Sequence, residues 1–196
     1  MHLAFDIFQG IGIAAAVGIR PFLPALAVGA LAAADVQIHF KHTDFSFLQS
    51  AVFLLVLVLC VIALGLIERR VSTDPADRGP VGLTVAALAL ALGALLFAGA
   101  LARDHHPAWP GLLGGALCAA LGIAATRPLI GRVRARLDES SGGLLPLFVE
   151  AAAVVLAALS VLAPPVGVIA LILLAWLLFA SRRRAGQKYA GLRILR

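Results

Sequence analysis

The sequence predicts an all-α fold, a polytopic transmembrane helical bundle of six to seven membrane segments, and three observations predict it. Of the 196 residues, 62% are hydrophobic and 13% charged, with mean hydropathy +1.02. Soluble domains hold about 45–50% apolar and about 25% charged residues, so this chain cannot cover a water-facing surface. The apolar residues fall in long runs divided by short polar loops, and the basic residues sit at the ends of those runs. That placement suits membrane orientation rather than nucleic acid, which is not expected as a partner.

The first apolar run is broken. Gly18-Ile19-Arg20-Pro21-Phe22-Leu23-Pro24 sets a glycine, a fixed charge and two prolines among apolar residues. Each proline lacks a backbone donor and clashes with the preceding turn, and Pro21 disfavours helical geometry at Arg20. Segment 1a is expected over about Leu3–Val17 and segment 1b over about Phe22–Ala34, both short for a span of about 20 residues. Two arrangements follow. Both pieces cross as short helices with Arg20 at an interfacial turn, the favoured arrangement, or they form a re-entrant pair with Arg20 at depth.

A polar connection follows over 35–50. Segment 2 spans about Phe47–Ile67 and ends at Glu68-Arg69-Arg70. Asp74-Pro75 and Gly79-Pro80 are turn signals, and segment 3 covers about Val81–Ala102. Segment 4 starts near Trp109, an interface-type residue. It reaches about Ala125, where Thr126-Arg127-Pro128 interrupts it, and 129–137 reads as an arginine-bearing surface helix. Segment 5 runs from about Leu144 to Leu162. Pro164-Pro165 closes a hairpin to segment 6, about Val166–Ala180, and a basic tail occupies 182–196.

Sidedness follows from the loops. Arg69, Arg70 and Arg78, then Arg127, Arg132, Arg134 and Arg136, then Arg182, Arg183, Arg184, Lys188, Arg193 and Arg196 fall on one side. These thirteen of sixteen basic residues belong in the cytoplasm. The N-terminus is therefore expected outside and the C-terminus inside. The bundle is expected over 1–181, with a candidate three-one-three arrangement over 1–68, 80–103 and 108–181. The bilayer itself is a partner, the tail suits anionic lipid, and a homo-oligomer is compatible with the pattern.

Charged residues within apolar runs are the candidate functional groups, because each costs at least about 2.5–3.5 kcal/mol near the bilayer centre. Glu150 lies six residues into segment 5 with no basic residue within a turn. Arg20 is its first candidate partner and Arg127 its second. Arg20, Pro21, Pro24, Glu150, Arg127, Glu68 and Asp6 form the candidate ion or solute pathway. Glu68 also reads as one half of an interfacial salt bridge, and Asp6 as a surface residue. Cys60 and Cys118 read as small buried hydrophobes.

No cofactor is expected from the motifs. His39, His42 and Asp44, with Asp104, His105 and His106, bring imidazole and carboxylate to two outer loops, a donor set suited to a divalent transition metal. Exposed loop histidines are the plainer reading. HExxH, GxSxG, Walker A and dinucleotide fingerprints are all absent, so nothing supports an enzyme.

The broken-segment motif, Glu68, Asp74-Pro75-Ala76-Asp77, the arginines before Ser140-Ser141-Gly142-Gly143, and Glu150 together resemble a bacterial family of small multi-pass membrane proteins catalogued as domain of unknown function 4126. The resemblance covers most of the chain and departs from the family pattern in two places. Arg69-Arg70 replaces an acidic-lysine pair after Glu68, and Ala151 replaces an aspartate after Glu150. It implies a helical bundle in which the broken segment meets segment 5, and no substrate.

A small transporter or channel for an ion or small solute, with Arg20 and Glu150 beside the broken helix, is the leading expectation. The alternative is a non-transporting scaffold or assembly subunit in which the same pair only fixes packing.

Overall fold

The computed structural model describes residues 2–41, 43–70, 79–104, 106–134 and 144–190. Seven α-helices and no strand occur among them: α1 (His2–Ile19), α2 (Phe22–Ala33), α3 (Ala51–Arg70), α4 (Pro80–Ala102), α5 (Trp109–Arg134), α6 (Leu145–Leu162) and α7 (Pro165–Ala190). Stretches 81–102, 109–133, 145–162 and 165–183 are long and apolar enough to cross a membrane. Leu3–Ile19, Phe22–Ala33 and Ala51–Ile67 are shorter apolar helices. This is a membrane protein.

The helix α1 stands at the centre. It packs against α2, α4, α5, α6 and α7, and the outer helices neighbour one another in the order α4, α5, α7, α6, α2. Ile13, Ala14, Ala15, Ala16 and Val17 are all fully buried. Small residues make this possible, since lipid supplies no hydrophobic drive between helices and close backbone contact must hold them. A Cβ on Gly18 would stand 2.2 Å from the Ala119 carbonyl oxygen, and one on Gly122 would stand 2.6 Å from that of Ala15. Gly93 and Gly115 meet in the same way where α4 crosses α5.

Outside this centre lies α3, which packs mainly against α2. Its apolar side chains are largely uncovered, Val52 at 74% and Leu55 at 61% exposure. Such a surface belongs against acyl chains.

The α2–α3 connection folds inward rather than lying as a loop. The end of α2 closes with Asp35 N–H on the Ala32 carbonyl and Val36 N–H on the Leu31 carbonyl, a Schellman cap with Asp35 in the left-handed region at φ 55°. Ile38, Phe40 and Leu48 are fully buried, and the Phe40 ring and Leu48 side chain occupy the space beside Gly99 of α4. A short 3-10 turn (Ser46–Gln49) leads into α3, so segment 2 becomes α-helical at Ala51, a little after the expected Phe47.

Two helices run further than the sequence suggests. The interruption expected at Thr126-Arg127-Pro128 does not occur: α5 continues through Pro128 to Arg134. Proline there removes one helical donor, the one that would reach the Ala124 carbonyl, but the stretch from Pro128 onward is largely exposed, where the loss is tolerated. Likewise α7 extends through Arg182–Arg184 to Ala190, so most of the expected tail is helical.

Candidate functional site

Two places bring charged side chains into the bundle, one at each end. The first is the break itself. Arg20 N–H still bonds the Ala16 carbonyl at 3.2 Å, extending α1 by one bond, and α2 restarts at Phe22 with Pro21 preceding it at φ −74°. The first turn of a helix leaves four backbone donors without partners. Prolines at 21 and 24 remove two of those four, leaving Phe22 and Leu23. The prolines that forbid a continuous helix thus also lower the cost of starting a new one away from water. Both are buried, and Arg20 beside them is half-buried.

The depth of this break follows from helix register. Gln9 Nε2 donates to the Val161 carbonyl at 3.2 Å, fixing α1 and α6 antiparallel at that height. Eleven residues onward from Gln9 is Arg20, and eleven back from Val161 is Glu150. With equal rise per residue in both helices, Arg20 and Glu150 stand at one level. Glu150 is half-buried there.

The other helices show that this level is recessed. Ala14 and Gly93 lie side by side, which puts Arg20 level with about Ala87, seven residues inside the start of α4 at Pro80. At 1.5 Å per residue that is about 10 Å below the helix end. Arg127 of α5 is half-buried nearer the start of α4, with Nη2 donating to the Gly82 carbonyl at 3.2 Å. Thr126 beside it bonds back to the Gly122 carbonyl at 2.7 Å. Glu68 falls in the last turn of α3.

The second place is the opposite end. Asp6, expected at the surface, is fully buried. Its Oδ1 accepts from Arg103 Nη2, while Arg103 Nη1 donates to the Gln37 carbonyl at 2.8 Å. One guanidinium thereby ties α1, the end of α4 and the α2–α3 connection together. Asp104 Oδ1 lies 3.9 Å from Arg103 Nε. Asp6 lies on the inward side of the first turns of α1, while Leu3, Phe5 and Phe8 on the other side are exposed. Arg103 is not among the candidate residues read from the sequence. A lone arginine at a helix end opposite a lone aspartate in an apolar run was the available signal.

His39 and Asp44 are exposed, and Asp104 and His106 are half-buried after α4. No three His, Cys, Asp or Glu among the described residues are placed to hold a metal. His42 and His105 lie outside the described residues, as do Asp74-Pro75-Ala76-Asp77 and Ser140-Ser141-Gly142-Gly143.

Comparison with known families now adds one decisive match. The family model described as Domain of unknown function (DUF4126) covers residues 7–184. The chain belongs to that family. The match takes in both charged places apart from Asp6, which lies one residue before it, and DUF4126 carries no assigned activity. No curated protein matches the chain, and no solved structure does.

Proposed function

We propose that this DUF4126 protein is a small transporter or channel that moves an ion or small solute past the α1–α2 break, with Arg20 and Glu150 at the narrowest part. The observation that carries the reading is the common level of Arg20 and Glu150, about 10 Å inside the start of α4. Ionisable groups held at depth are costly and mark ion or solute pathways by default. A helix restarting within a bundle is the usual membrane solution for a transport site. Arg127 adds a second cation nearer the start of α4, on the Gly82 carbonyl. On this reading the Arg20 end faces the cytoplasm of a bacterial inner membrane, as the arginine distribution suggests.

The close packing of α1 favours a second reading, a non-transporting scaffold. A central helix whose glycines leave no room for a methyl group suits a fixed core, with the Arg–Glu level serving only register. Purified full-length protein in proteoliposomes, under imposed ion and pH gradients, separates the two. Flux present in wild type and abolished in Glu150→Gln supports transport. Flux unchanged in Glu150→Gln, or no flux of any small ion or metabolite in wild type, overturns it.

A further inference from the structure

We propose that Asp6 and Asp104 form a proton-binding site at the end of the bundle opposite the break, holding one proton between their carboxyl groups against the single guanidinium of Arg103. The site does not depend on the transport reading, and its test reads a bound proton rather than a flux.

Asp6 is fully buried, and among the described residues only one of its two oxygens is satisfied. Oδ1 takes Arg103, whereas Oδ2 accepts no hydrogen bond from them. A carboxylate oxygen shut away without a donor carries the full desolvation penalty. Asp104 brings a second carboxyl to the same guanidinium, 3.9 Å from Nε. The two carboxyls thus share one guanidinium. Two carboxylates cannot hydrogen-bond each other unless one carries a proton.

Charge counting points the same way. Two aspartates face one arginine, and the remaining arm of that arginine is taken by the Gln37 carbonyl. The other elements around the site bring no second cation to it among the described residues. In the α2–α3 connection, Lys41 is bonded to Asp35 at the surface and His39 is exposed. Gln9 of α1 is committed to the Val161 carbonyl of α6. The α6–α7 hairpin there is apolar, and His106, half-buried ahead of α5, bonds through its backbone to the Leu101 carbonyl. Like-charged carboxylates in one site do not both ionise readily. A single proton on Asp6 Oδ2, donated toward Asp104, supplies the missing hydrogen bond and removes the excess negative charge. Asp104, with its side chain 33% exposed, is where the proton exchanges with water.

Infrared difference spectroscopy on the full chain in lipid nanodiscs, stepped across pH, reads the carbonyl stretch of a protonated carboxyl. Wild type is expected to show one such band at neutral pH that Asp6→Asn removes. Asp104→Asn, made at the more exposed position and therefore usable if Asp6→Asn fails to fold, is expected to demand about tenfold higher proton concentration for the same band. No protonated carboxyl in wild type at neutral pH would overturn the proposal. So would a band that neither substitution moves, or stabilisation by sodium alone at fixed pH without a protonated band.

Discussion

Gly12 of α1 and Gly167 of α7 lie backbone to backbone, each occupying the space where a Cβ on the other would stand. A methyl group on Gly12 would come 2.1 Å from Ser160 Oγ and 2.5 Å from Gly167 Cα. Neither backbone can yield without moving a whole helix. Gly12→Ala and Gly167→Ala should each lower stability by about 1–3 kcal/mol, the range for overpacking a close-packed interior. Gly65→Ala in α3, with nothing within 4 Å, should show no loss. Thermal unfolding of the three variants in detergent, read side by side, checks this.

Arg20 and Glu150 should be energetically coupled. Arg20→Gln, Glu150→Gln and the double variant form a cycle in which residues sharing one network show non-additivity of about 0.5–3 kcal/mol. Denaturation midpoints in mixed micelles supply the numbers. Simple additivity would mean that a common depth brings no interaction.

Arg103 should matter more for stability than its place at a helix end suggests. Its side chain is 16% exposed and it pairs with a fully buried aspartate. Arg103→Gln should cost about 1–3 kcal/mol, because the buried Asp6 Oδ1 and the Gln37 carbonyl both lose their donor. Adding Asp6→Asn to Arg103→Gln should restore part of that loss, because the buried carboxyl left without its donor is then gone. Unfolding of the single and double variants at fixed pH tests both halves.

Phe40 anchors the inward fold of the α2–α3 connection against Gly99. Phe40→Ala should cost about 3–5 kcal/mol through lost burial and the cavity left behind. It should also raise protease cleavage within 35–50, which limited proteolysis would detect. Unchanged cleavage would show that the connection holds its place without the ring.

A pH dependence follows from Asp35. The hydrogen bond from Lys41 holds its carboxyl below the usual carboxylate range. A carboxyl lowered in the folded state adds stability that is present above its unfolded value of about 3.9 and lost as pH falls through the lower folded value. The pair is exposed, so the effect is small. Lys41→Gln should move the Asp35 titration back toward the ordinary range, visible by side-chain carboxyl NMR, and should flatten the stability profile only in acid.

How much of this could be read from the chain divides along physical lines. Apolar runs and prolines act locally, so α1, α2, α4 and α6 appear within one or two residues of expectation. Pro128 misled because a proline near an exposed helix end costs little, and Arg182–Arg184 did because a helix once started continues past the apolar stretch. The facing of Gly12 on Gly167, the pairing of Asp6 with Arg103 and the choice of α1 as the central helix depend on packing over more than ninety residues, which no periodicity records. The level shared by Arg20 and Glu150 became visible only once Gln9 and Val161 fixed the register.

The central place of α1 has a bearing on how the molecule is made. Helices enter the bilayer in the order of synthesis, yet this one precedes α4, α5, α6 and α7, the neighbours that enclose most of its surface. Until the α6–α7 hairpin arrives, Gln9 has no Val161 to bond and Gly12 faces no Gly167. A helix made before these neighbours is thus finished after them, and a chain stopped after α5 should leave it open to membrane quality control rather than holding a stable partial fold.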